Sequence, residues 1–142
     1  MFKTLPIALL ALLGTCAAQQ SHPLTQLQGS SRILMVFAPD ANSANFKRQL
    51  ALIEHHSFEL SARNTVVVPV SENVGIAADI FGGEQLPLSS TTDQVYARAR
   101  FHVEPSDFVV LLLNEDGAEQ LRSQRPVDIH ELVARLDSMP QR

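Results

Sequence analysis

Two rhythms of hydrophobic and polar positions divide this chain. Arg32-Ile33-Leu34-Met35-Val36-Phe37 is an unbroken apolar run behind a single Arg, and Ala38-Pro39-Asp40 punctuates it. A short apolar run closed by a turn signal predicts a strand buried on both faces. A helical rhythm starts near Asn42: Phe46, Leu50, Ile53 and Leu60 recur at spacings of four, three and seven, with Ser57 in the gap. The pattern predicts one helix over about Asn42–Ser61, its apolar stripe on a sheet and Lys47, Arg48, Glu54 and Glu59 outward. Asp40 or Asn42 stands where a side-chain oxygen caps that helix.

Asn64 ends the helix, and Thr65-Val66-Val67-Val68-Pro69-Val70 predicts a second, β-branched strand. Pro69 cannot donate to a ladder, so it belongs at the strand's end or on an unpaired side. Ser71-Glu72-Asn73 turns the chain, Val74–Phe81 predicts a short helix stopped by Gly82-Gly83, and Glu84–Ser90 is loop. Thr92 or Asp93 caps a further helix carrying Val95, Tyr96, Ala99 and Phe101. Asp107–Leu113 is the third and most apolar strand, Asn114-Glu115-Asp116-Gly117 a hairpin turn, and Ala118–Arg122 a short edge strand. Gln124-Arg125-Pro126 leads to a last helix with Asp128 near its start, striped by Ile129, Leu132, Val133 and Leu136, and ended by Met139-Pro140. The order β-α-β-α-β-β-α predicts an α/β, three-layer sandwich: helix-joined parallel strands and one terminal hairpin in a four-stranded mixed sheet, helices on both faces.

Composition changes that picture little. The 142 residues, 45% hydrophobic and 18% charged, suit one domain with a core of its own. A net charge of −4 offers no basic face for nucleic acid. The start of the chain does change it. Lys3, the apolar Leu5–Leu13 and the small Cys16-Ala17-Ala18 have the layout of an export signal over residues 1–18. That apolar stretch falls short of the ~20 residues a membrane span needs. Residues 19–31 form a polar lead-in with isolated Leu24 and Leu27, and 32–142 the domain. Cys16 is the single cysteine and has two readings. Leu13-Gly14-Thr15-Cys16 resembles a bacterial lipobox, which makes Cys16 a lipidated first residue; cleavage after Ala18 discards it. Either way the protein is expected to be exported, to the periplasm or outside the cell, or held by a lipid anchor, with no transmembrane helix in its mature form.

The element order, with "NEDG" before the last strand and a closing helix, is similar to the thioredoxin superfamily over Arg32 to Met139. A sharper resemblance, to the bacterial DUF4174 family, rests on "RILMVFAPD" at 32–40, "RNTVVV" at 63–68, "VLLLNEDG" at 110–117 and "LDSMPQR" at 136–142. It implies a small exported domain of thioredoxin-like fold with no assigned activity, with relatives in some animal extracellular-matrix proteins. The tail departs from the family's pattern at Gln141, where Met is usual.

Thioredoxin chemistry needs a low-pKa thiolate at the start of the first helix and its resolving partner three residues on. Those places fall on Ala41 and Ala44, give or take one residue, and no register puts sulfur there. The superfamily's cis-Pro would fall near Val109, and Pro105 lies too early. A single cysteine outside the domain thus excludes both thiol-disulfide exchange and peroxiredoxin chemistry, and no cofactor is implied.

Other chemistry is sparse. Asp40, Asn42 and Ser43 frame the positive end of the first helix and could hold an anion or serve an uncharted enzyme, with Arg63 or Arg100 supplying positive charge. Plain capping explains the same residues, and Asp40 would repel an anion. His55 and Glu59 share a helix face, yet adjacent His55 and His56 cannot easily face one ion and a third ligand is missing, so no metal site is expected. His102, His130 and Asp137 are too scattered to assemble from sequence. Ser43 lacks the Gly-x-Ser-x-Gly elbow of a hydrolase nucleophile. Arg98 and Arg100, two residues apart, diverge on a helix and suggest surface salt bridging. The sequence therefore predicts a catalytically silent binding or envelope-interaction module, its partner an unidentified protein or small molecule.

Overall fold

The computed structural model describes residues 29–72 and 91–140. The export-signal reading, Cys16, the helix expected over Val74–Phe81, its Gly82-Gly83 stop and the loop to Ser90 lie outside them. The described residues form, in order, β1 (Arg32–Asp40), α1 (Ala44–His55), α2 (Ser57–Ala62), β2 (Thr65–Glu72), α3 (Thr91–Phe101), β3 (Val109–Leu113), β4 (Glu119–Ser123) and α4 (Ile129–Ser138). The strands form one mixed sheet in the order β2-β1-β3-β4.

β1 owes its central place to having no polar face. Residues 32–38 are all buried, because alternate side chains feed two separate cores. Leu34, Val36 and Ala38 join Phe46, Leu50 and Ile53 of α1, Leu60 of α2 and Ile129, Leu132 and Leu136 of α4. Ile33, Met35 and Phe37 join Ala97 and Phe101 of α3 on the other face. The result is a three-layer α/β sandwich with helices on both faces of a four-stranded mixed sheet. Each large aliphatic side chain so enclosed contributes about 1.5–3 kcal/mol relative to exposure.

Strand direction differs in one respect from a chain of helix-joined parallel strands. β1 and β2 are parallel, Arg32 opposite Thr65, but β3 runs antiparallel to β1, with Phe37 opposite Val109. The cause lies in α3, which ends beside the carboxyl end of β1: Arg98 Nη2 donates to Ala38 O at 2.6 Å, and Val103 N to Arg98 O at 2.9 Å. The chain therefore enters β3 from that end. β2 is an edge strand, the place where Pro69 is tolerated.

Three local expectations are revised. The helix expected over Asn42–Ser61 is two, broken at His56 (φ −120°, ψ 24°) within His55-His56-Ser57, residues of middling helix propensity. Neither Asp40 nor Asn42 caps it: Ser43 is the cap residue and makes no side-chain cap bond. On α3 the buried positions are Ala97 and Phe101, whereas Val95 and Tyr96 are 61% and 38% exposed and Ala99 is exposed too. The turn after β3 forms as expected, with Gly117 at φ 80° and Asn114 Oδ1 accepting from Asp116 N and Ala118 N at 3.0 and 2.8 Å.

Candidate functional site

The carboxyl end of β1, where it feeds α1, is the edge at which ligands and reactive groups gather in α/β sheets. Asp40 closes a local turn there: its Oδ1 accepts from Asn42 N at 2.6 Å, and its carbonyl from Ser43 N at 3.3 Å. The carboxylate is thus engaged with its own backbone and exposed. Ala41 is half-buried and Ala44 exposed in the positions that thiol chemistry would use. Val109 opens β3 where the superfamily's proline is expected, and no cis peptide bond occurs among the described residues.

Arg63, grouped with this turn in the sequence, does not join it. Arg63 sits at the opposite end of the sheet, one residue before Asn64, whose carbonyl accepts from Arg32 N at 3.0 Å at the start of β1. Nine residues of strand separate the two ends by roughly 26 Å. Arg63 Nε donates to Asp137 Oδ1 at 2.7 Å and Nη1 to Glu59 O at 2.8 Å. The Arg63–Asp137 hydrogen bond raises the Arg63 pKa and holds the Asp137 carboxyl below the usual carboxylate range. Arg100 is exposed on α3, its guanidinium 5.5 Å from the ring centre of Phe101 and within 3.5 Å of Tyr96 Oη. Asp40, Asn42 and Ser43 therefore stand together, and Arg63 is not with them.

Two of the histidines, His56 and His130, approach each other. His56 Nδ1 lies 3.2 Å from Glu59 Oε1, and the His56 and His130 rings are 6.1 Å apart. His55, which sequence spacing paired with Glu59, is exposed, because the helix breaks between them. Among the described residues no group of three or more His, Cys, Asp or Glu is arranged to hold a metal ion.

A groove of about 610 Å³ opens near the β1–α1 end. Asn45 and Arg48 come from the first turns of α1, Ser123 and Arg125 from the end of β4 and the loop after it, and Glu131 from the start of α4. Register sets its β4 wall level with the middle of β1: Ser123 lies opposite Val110, and Val110 opposite Val36. Its two walls are tied together by Gln49, which is wholly buried. Gln49 Nε2 donates to Val127 O at 3.2 Å and Val127 N donates to Gln49 Oε1 at 2.6 Å, across 78 residues of chain.

Sequence reasoning passed over Arg48, Gln49 and Arg125 as site residues. One signal was available: Gln49 follows Phe46 by three on the buried stripe, and a polar residue there needs a partner inside. Arg98 was read as surface, yet it is half-buried, bonds Ala38 O and lies 5.8 Å from the ring centre of Phe37.

The described residues contain no helix long and apolar enough to cross a membrane. Comparison with solved structures gives the fold. Peroxidoxin BcpB from Mycobacterium tuberculosis superposes with a TM-score of 0.65 at 13% identity, over 83% of this chain and 86% of that one. The reduced 2-Cys peroxiredoxin of Plasmodium vivax gives 0.60 at 17% identity, over 81% and 80%. StoA from Bacillus subtilis gives 0.55 at 13%, over 75% and 82%. At such identities the likeness establishes a thioredoxin-like fold and nothing of activity. Comparison with curated proteins finds no significant match. The family model described as "Domain of unknown function (DUF4174)" matches residues 23–142, and the chain belongs to that family.

Proposed function

We propose that this protein is an exported binding module, a thioredoxin-like scaffold that works without thiol chemistry. The observation carrying the reading is the occupancy of the β1–α1 turn. Ala41 and Ala44 stand where a thiolate and its resolving partner would act, and the chain's one cysteine, Cys16, precedes the domain. Attack on a disulfide or a peroxide requires a thiolate, so the scaffold has no nucleophile of that class. What remains is a rigid sheet presenting a polar turn and an arginine-bearing groove at one end.

Export rests on the sequence pattern of residues 1–18, with cleavage after Ala18 and lipidation at Cys16 as the two mature forms. Intact mass of the protein recovered from cell envelopes separates them: a chain beginning at Gln19, or one beginning at Cys16 with added acyl mass. An unprocessed chain beginning at Met1 contradicts export. An enzyme or anion site built on Asp40, Asn42 and Ser43 is the weaker reading, because the Asp40 carboxylate is spent on Asn42 and Arg63 lies at the far end.

The functional test is partner capture from envelope extract with the purified chain, alongside dithiol-exchange and peroxide-consumption assays. Capture without turnover is expected. Turnover of either substrate overturns the reading.

A further inference from the structure

We infer that the groove between α1 and the β4–α4 loop is an anion site, in which Arg48 and Arg125 receive a carboxylate or phosphate group of a small ligand. The inference rests on the binding-module reading and gives it an address. Charge is the first argument. Neither guanidinium makes a hydrogen bond or ion pair with a described residue, whereas the neighbouring Arg122 is spent on Glu119 at 2.7 Å and on Phe101 O at 2.7 Å. Two uncommitted guanidiniums facing one groove hold their donors ready for an oxyanion, which they can grip bidentately.

Pre-organisation is the second argument. Arg48 adjoins Gln49, whose buried side chain clamps Val127, two residues beyond Arg125. The Ser123 hydroxyl both donates to Arg125 O at 2.8 Å and accepts from Arg125 N at 3.1 Å. The backbones carrying the two arginines are therefore fixed relative to each other before a ligand arrives, which lowers the ordering cost of binding. The groove's volume of about 610 Å³ falls within the ~300–1,000 Å³ range of small-ligand sites. Glu131 on the same wall restricts the class: a ligand anionic along its whole length is repelled, and one with a single anionic group beside a hydrogen-bond donor is favoured.

Titration of the full chain followed by amide NMR, at about 0.15 M salt where unfocused surface attraction is screened, tests this with inorganic phosphate in one arm and N-acetylglycine, a single carboxylate beside an amide donor, in the other. Saturable shifts at Asn45, Arg48 and Arg125 are expected in at least one arm, and which arm responds tells phosphate from carboxylate. Arg48→Gln or Arg125→Gln should weaken that binding about tenfold, while Arg135→Gln, an exposed change on α4, leaves it intact. Absence of saturation in both arms, or equal weakening by Arg135→Gln, overturns the site. If capture of a partner persists undiminished in Arg48→Gln and Arg125→Gln, the groove fails and the binding-module reading stands.

Discussion

Gln49 is a polar side chain with no exposure at all, and its amide satisfies both backbone groups of Val127. Gln49→Leu would leave a buried N–H and C=O without partners, at a cost of about 1–3 kcal/mol. Urea unfolding should show that loss as a lower midpoint, and an unchanged midpoint would mean water takes over both bonds. Asp137 carries a different prediction. Its hydrogen bond to Arg63 lowers its folded pKa, so the contribution is present above the ordinary carboxylate pKa and vanishes as acid carries the pH down through the folded value. Asp137→Asn should therefore flatten the fall in stability between mildly and strongly acid pH and leave neutral stability nearly unchanged, since both side chains are solvent-exposed in part. A slope identical to that of the unaltered chain would contradict it. At this scale the sequence was only partly legible. It showed Gln49 on an apolar stripe, but no local pattern names a partner 78 residues away.

Elements read more clearly than residues wherever burial was one-sided or complete. β1 and β3 declare themselves as apolar runs because both faces are covered, and α1 and α4 because one stripe is. α3 misled in part: of Val95, Tyr96, Ala99 and Phe101, only Phe101 is buried, and Ala97, one turn before it, is its partner on the sheet. The direction of β3 was equally hidden, since it depends on Arg98 and Val103 bringing the chain to the carboxyl end of β1. Packing makes contrasting predictions for two large apolar side chains. Leu112→Ala, at a wholly buried position of β3, should cost about 2–5 kcal/mol. Phe58→Ser, on α2 at 84% exposure, should stay within about 0.5 kcal/mol. Thermal or urea unfolding of the two variants checks both values, and a large loss from Phe58→Ser would mean that its ring is covered.

At the scale of the molecule the fold is thioredoxin-like, similar to peroxidoxin BcpB over 83% of the chain, and its β1–α1 turn holds Ala41 and Ala44. Fold was legible from element order because covering both faces of a sheet constrains nearly every strand and helix. The candidate groove was not, because Arg48 and Arg125 lie far apart in sequence and meet only after α1 and the β4–α4 loop are clamped. Binding without thiol chemistry is the central claim, and it is tested most directly by partner capture with the unaltered chain and with Cys16→Ser, resolved on gels with and without reductant. The account predicts equal capture by both chains and no band sensitive to reductant. A partner held only by the unaltered chain, and released by reductant, would contradict it.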